Sequence, residues 1–471
     1  MNTKTMLVFA GALLAGSATA QQTQYQARMS EPLQELSPTQ LAAFIAGRAE
    51  FDTILLDSQG LGPMFNDTGC SQCHSKPDVG GFSTTTVTRF GKKAVGATPF
   101  DPLVNLGGTL LQKDKIAAAA PACLEVVPPQ ADVVVMRQTP HTFGAGLLEA
   151  IKDADILALA ASPPNPSVSG IARMVTPVEG GPARPGRMGW KGQVATVFTF
   201  SADASLNEMG LTTTFFPQEN APNGDASLLG PPTNCDTVAD PEDIGNQRIT
   251  RQANFQAFLA PPPQTPKSGM AGEGIFSTVG CAACHFPSFV TGGHPEAVFN
   301  GRLIKPYSDF LLHDMGLDAL TGGNGCGDGI VDGIATEREM ETRSLWGMGQ
   351  RQAFLHDGRA TGGTFEQNVD AALQNHGGEA SFARTNYNAL SASSKTSLYA
   401  FLRSLGRPEF DEDNNNTIDV FDWFFLSTDF TGPSPAVPIS ADAHGAAADV
   451  DQDHDFDVVD FLVMQRAFTG Q

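Results

Sequence analysis

The sequence predicts a mainly α, loop-rich chain in three parts: two similar domains, then a small helical module at the C-terminal end. Three observations predict it. Helical periodicity is confined to a few runs, separated by stretches dense in Gly and Pro, which number 49 and 32 in 471 residues. A Cys-x-x-Cys-His motif occurs twice, 211 positions apart, at Cys70–His74 and Cys281–His285. A loop of alternating carboxylates also occurs twice, with an offset of 38, inside the last 65 residues.

Taken in order, residues 1–20 read as an export leader. Lys4 is followed by the short apolar run Met6 to Ala15, and Ala18-Thr19-Ala20 is a small-x-small cleavage site. Helices are expected at Pro38 to Glu50 with Ser37 as cap, at Ala145 to Ala161, at Gly269 to Phe276, at Ser391 to Leu405, and at the end of each tail repeat. The best strand signal is Gln193 to Ser201, rich in β-branched and aromatic residues. The Pro261–Pro266 run marks a boundary, giving expected domains at 21–265, 266–406 and 407–471.

The two Cys-x-x-Cys-His motifs carry the chemistry. One helical turn brings both sulfurs to the edge of a haem for thioether bonds, and the next His reaches the iron. With 7 Cys and 9 His, a chain of this length would hold roughly 0.002 such motifs by chance. A zinc knuckle or dithiol does not call for the adjacent His twice over. Cys70, Cys73, Cys281 and Cys284 are therefore assigned to two covalently bound haems c, with His74 and His285 as iron ligands.

Covalent haem attachment and a leader both point to a periplasmic or secreted protein. No long apolar stretch follows the leader, so no transmembrane segment is expected. Cys123, Cys235 and Cys326 remain; an oxidising compartment allows two of them to pair, and the sequence does not choose which. A net charge of −22 argues against nucleic acid or an anionic membrane as partner. From Arg407 onward there are 14 Asp or Glu against 2 Arg, which marks the tail as a separate acidic module.

An internal echo extends the duplication. Thr139–Gly146 and Thr342–Gly349 both match T-x-x-x-[FW]-G-x-G, 69 and 61 residues after the first Cys of each haem motif. This suggests two cytochrome c-like domains. Gly60–Asn66, Phe143–Ile151, Gly186–Lys191, Glu208–Thr212, Leu312–Gly316, Leu345–Gly347, His356–Ala360 and His376–Ala380 follow one another in order. In that order they resemble the di-haem oxidoreductase family of peroxidase-like proteins, also labelled thiol oxidoreductases and distantly similar to bacterial di-haem cytochrome c peroxidases. Two features depart from the pattern: the longer spacing from His356 to His376, and His141 where an apolar residue is usual.

The resemblance implies that the helix after His356-Asp357-Gly358-Arg359 carries the second axial ligand of the electron-transfer haem, which favours His376; His313, Met315 and His356 remain alternatives. For the first haem His141 is the distal candidate and Glu149 the candidate acid, since peroxide cleavage needs a base to move a proton and a polar group to polarise the O–O bond. A helix-start glutamate can equally serve the helix dipole. Trp190 is the candidate aromatic between the haems, or else a packing residue.

In the tail, Asp411, Asp413, Asn415, Thr417, Asp419 and Asp422 occupy positions 1, 3, 5, 7, 9 and 12 of a calcium loop, and Asp449, Asp451, Asp453, Asp455, Asp457 and Asp460 repeat the pattern. Position 6 is Asn416 and His454 in place of Gly. Duplicated loop–helix units ending in Asp resemble a dockerin type I module, which implies calcium and a cohesin-like or cell-surface partner.

The expected function is an exported di-haem c-type cytochrome oxidoreductase, peroxidase-like. A small redox protein would donate electrons through haem 2 to a substrate at haem 1. The alternatives are a thiol or organic-substrate oxidase passing electrons outward, and a non-catalytic electron carrier.

Overall fold

The computed structural model describes residues 26–468 apart from 97, 118, 320–321, 433–438, 440–444, 446–447, 451–452 and 454. The expected leader and Asp451 therefore lie outside the described residues. Helix takes 34% of the chain and strand 12%, so the expected mainly helical, loop-rich character holds. The strands form five two-stranded sheets among the described residues. No helix there is long and apolar enough to cross a membrane.

One helix crossing is built twice. Helix Pro38–Phe51 starts on a Ser37–Gln40 capping box and packs against helix Gln247–Phe258. Helix Ala271–Val279 packs in the same manner against Ala392–Ser404. Each crossing needs a glycine. A Cβ on Gly47 would lie 2.4 Å from the Arg251 carbonyl, and one on Gly272 2.0 Å from the Ser397 carbonyl. Four residues on, Phe51 and Phe276 each meet the facing helix through Phe255 and Phe401, and each lies beside a motif histidine, His74 or His285. This Gly-x-x-x-Phe pair is a second echo of the haem motifs.

The echoed T-x-x-x-[FW]-G-x-G segments also share a conformation: Gly144 and Gly347 both adopt positive φ, +67° and +70°, and each opens a helical turn.

Two local expectations need correction. Gln193 to Ser201 is not a strand; its second half belongs to helix Val197–Met209, capped by the Thr196 side chain on the Thr199 N–H. Val197, Ser201, Ala202, Ser205, Leu206 and Met209 are buried at helical spacing, and this period overrides the β-branched composition. The expected helix Ala145 to Ala161 is broken between Glu149 and Asp153. There the buried Arg187 guanidinium donates to the carbonyls of Leu148, Glu149 and Ile151 and takes them from the helical ladder.

The largest core unites residues from both sides of Pro261–Pro266, including Phe143, Phe255, Phe258, Phe299, Phe310 and Trp346. Pro262 and Pro263 are themselves buried, so this segment is packed rather than a loose linker. Cys123 and Cys235 form the disulfide, and Cys326 remains a buried thiol. The tail has its own core, in which Phe410 and Ala448, Ile418 and Phe456, and Leu426 and Met464 are buried pairs 38 residues apart.

Strand Leu312–Asp314 pairs with Glu339–Glu341 and holds His313 inside, 2.9 Å from Asp309 Oδ2 through Nε2 and 3.0 Å from Glu379 Oε2 through Nδ1. Burial opposes charge on the ring, but Asp309, the Cys284 sulfur and Glu379 outweigh it and push its pKa up to about 12. A histidine raised in this way stabilises fully below its unfolded pKa of about 6.5, and the contribution declines as pH rises toward the folded value. Wild-type stability should therefore fall between pH 7 and 10 by up to about 1.4 kcal/mol per pH unit from this group. His313→Gln should cost about 3–5 kcal/mol at pH 6 and flatten that slope, as read by urea denaturation at each pH.

Candidate functional site

Two cavities lie beneath the two Cys-x-x-Cys-His motifs. The first, about 880 Å³, is lined by Cys70, Cys73 and His74. The second, about 200 Å³, is lined by Cys281, Cys284 and His285. Each motif is a single helical turn, Cys70–Cys73 and Cys281–Ala283. All four motif sulfurs are unpaired thiols, and burial pushes Cys70 and Cys281 up to about 12, so none is poised for disulfide chemistry.

The histidines fit iron ligation. Burial lowers His74 and His285 to about 4, which keeps both rings neutral at pH 7 as ligation requires. His285 fixes Nδ1 on the Tyr307 carbonyl at 2.9 Å, leaving Nε2 for a metal. His74 Nδ1 is buried without a hydrogen bond; the carbonyls of Gly81 and Pro140 face the ring without closing one. Thiols, neutral imidazoles and adjoining cavities are the donor set a covalent haem needs.

The second cavity contains another histidine built like His285. His376 fixes Nδ1 on the Ala372 carbonyl at 2.9 Å, its own helical i−4 position, and burial lowers its pKa. His376 is close enough to His285 to depress that ring electrostatically. Met315 and His356 also line this cavity. His313 does not line it, being held by its two carboxylates.

Neither predicted group for the first haem reaches its cavity. His141 follows Pro140 on the His74 side and is stacked on Phe143 at 5.5 Å and edge-on to Phe82 at 4.8 Å. It lines neither cavity, although it lies close enough to His74 for that ring to depress it electrostatically. Glu149 also lines neither cavity. Its Oε2 accepts the Val197 N–H at 2.7 Å, capping helix Val197–Met209, while Oε1 lies 3.6 Å from His294 and 3.9 Å from Arg184. That carboxylate is a structural cap.

The groups that do face the first cavity were missed in the sequence. Ser201, Ser205 and Glu208 line it from one face of helix Val197–Met209, with Gln252 and Gln256 from the next helix and Arg89 and Gln112 beside them. Burial raises the pKa of Glu208, Arg89 partly offsets this, and Oε2 accepts the Asn66 Nδ2–H at 2.8 Å. Arg89 Nε is buried without a partner. Glu208 was visible in the Glu208–Thr212 run, but reading the preceding residues as a strand hid the helical face that presents it.

Trp190 is the one described residue that lines both cavities. Its indole N–H donates to the Gln138 carbonyl at 2.9 Å, and its ring meets His356 edge-on at 6.4 Å. The neighbours of this bonded pair share a partner. Asp328, fully buried, accepts from Arg137 Nε at 2.8 Å and lies 2.9 Å from Lys191 Nζ. Burial would raise its pKa, but the two cations hold it well below the usual carboxylate range.

In the tail, Asp411, Asp413 and Asp422 bring ligand oxygens within 4.8 Å of one another, as do Asp455, Asp457 and Asp460. Asn416 takes the left-handed turn at φ +64°, and Asp411 Oδ2 accepts its N–H at 2.8 Å. Asp419 and Asp457 cap their following helices. Burial pushes Asp411 up to about 7.

Residues 128–405 match the family described as "Di-haem oxidoreductase, putative peroxidase", a span that includes the second haem motif and stops short of the first. Among curated proteins none matches the chain. A solved structure of hydrazine synthase from Kuenenia stuttgartiensis, pressurised with xenon, is similar at 14% identity and a TM-score of 0.35, covering 86% of this chain and 100% of that one. A likeness that weak carries no argument. The family match spans more than half of the sequence, and the chain belongs to the di-haem oxidoreductase family.

Proposed function

We propose that the chain is an exported peroxidase-like enzyme in which the cavity at Cys70–His74 is the reacting site and the cavity at Cys281–His285 relays electrons to it. One observation carries this reading: the two cavities are unequal. The second offers two imidazoles with Nε2 free, His285 and His376, which suits a saturated electron-transfer iron. The first offers His74 as its one lining histidine, with a half-buried acid and a half-buried guanidinium beside it. Haem supplies the redox chemistry and the binding position for an oxygen species.

The residues would act on the proton and the charge. Glu208, raised by burial, takes a proton from one peroxide oxygen and returns it to the other. Arg89 polarises the O–O bond with its unpartnered Nε. Trp190 lies between the cavities and offers the route for electrons. A small donor protein would supply those electrons. A second reading, oxidation of an organic substrate with electrons leaving outward, is favoured by the amide-rich lining of the first cavity, Gln112, Gln252 and Gln256.

We further propose that residues 21–265 and 266–406 are two cytochrome c-like haem domains and that 407–471 is a dockerin-like calcium module docking to a cohesin-like or cell-surface partner. The duplicated helix crossing and the 38-residue repeat of the tail core support these assignments. Export is supported by the leader-like start of the sequence and by the Cys123–Cys235 disulfide.

Glu208→Gln should lower peroxide turnover by about 10²–10⁴-fold with haem content unchanged, whereas Glu149→Gln should keep turnover. Unchanged turnover in Glu208→Gln would remove its role, and a loss confined to Glu149→Gln would restore the other assignment. Isothermal calorimetry on the intact chain should show two calcium ions bound, and Asp411→Asn should abolish one; no uptake would end the calcium assignment.

A further inference from the structure

The Trp190 end of the second cavity holds an arginine whose charge no acid answers. Arg351 lines this cavity and forms no ion pair among the described residues. Its Nη2 donates to the neutral Gln138 Oε1 at 3.3 Å, its guanidinium lies 5.1 Å from the Phe82 ring and 5.7 Å from Phe354, and its Nε is buried without any partner. The charged group nearest in effect is another cation, Arg343, itself 3.1 Å from Glu341 and 5.9 Å from the Trp190 ring. Burial and Arg343 together lower Arg351 to about 10. His356, which lines the same cavity, is only 3% exposed; neither ring nitrogen has a hydrogen bond, and Nε2 lies 4.0 Å from Asp318 Oδ2.

Arg351 is half-buried, but its Nε is enclosed without a partner and no acid pairs with its charge, an arrangement that an anion in the same cavity would complete. It must fit the same cavity and suit a planar fork. A haem carries two carboxylates on one edge. Resting on the assignment of the second cavity to a haem, we propose that Arg351 is the positioning residue that binds a propionate carboxylate of that haem, with His356 lining the same cavity. Gln138 ties the parts together, bonding to Arg351 through its side chain, to Trp190 through its carbonyl and to the His356 carbonyl through its N–H.

A cation at this place favours the reduced state of the nearby iron. In the holoprotein, Arg351→Gln should keep two haems per chain by pyridine haemochrome assay, because thioether attachment does not depend on it. Spectroelectrochemical titration should then show the midpoint potential of the second haem moved negative and that of the first unmoved. Arg351→Lys, which keeps the charge without the fork, should leave the potential near wild type and shift the propionate bending band in resonance Raman spectra. An unmoved second-haem potential in Arg351→Gln overturns the proposal. If that variant yields no holoprotein, Arg351→Lys decides alone, and an unmoved Raman band overturns it. A wild-type chain with a single haem would instead contradict the assignment of the second cavity, which the haemochrome assay reads separately.

Discussion

The buried carboxylate of Asp328 is the contact on which the two-cavity arrangement depends. It joins Arg137 and Lys191, and these are the sequence neighbours of Gln138 and Trp190. One anion thus fixes both backbones that meet in the indole–carbonyl bond, and the indole forms the shared wall of the two cavities. Lys191 is held further by the carbonyls of Thr336 and Glu339, each at 2.8 Å, so the partition is tied to the strand that pairs with His313. A buried triad of this kind contributes little net stability over an apolar core, but removing one partner strands uncompensated charge. Its use here is positional: it holds an aromatic ring in the wall that the two cavities share.

Much of this was legible in the sequence because covalent chemistry imposes spacing. The two haem motifs, their echoed T-x-x-x-[FW]-G-x-G segments and the 38-residue tail repeat are local patterns, and the structure places Trp190 and His376 against the cavities. What escaped depends on contacts between distant residues. The 197–209 helix looked like a strand because Val, Thr and Phe crowd its start, and its burial period emerges only against the helix Gln247–Phe258. With that helix misread, Glu208 had no visible face, and Glu149, whose carboxylate caps that same helix at Val197, was the acid left in view. The disulfide and the buried Pro261–Pro266 segment are equally products of tertiary packing.

On the proposed function, the inequality of the cavities gives the duplicated scaffold a direction. Both halves use the same glycine-mediated helix crossing and the same aromatic beside the motif histidine. They differ in what faces that histidine. The second half presents another anchored imidazole in a small apolar space, which favours rapid exchange of one electron without ligand change. The first presents an acid, an arginine and amides in a space about four times larger, which favours proton movement around a bound oxygen species. Under the proposed function, different facing walls on a repeated scaffold would make one haem site a relay and the other a reaction centre.

Electron paramagnetic resonance of the half-reduced holoprotein, with and without hydrogen peroxide, tests this inequality most directly. The account predicts a second haem that gives a low-spin, bis-histidine signal in the oxidised protein and falls silent on half-reduction as its iron becomes ferrous, and a first haem that stays ferric with a high-spin signal that changes when peroxide is added. Two haems that stay low-spin in every redox state and ignore peroxide would contradict it.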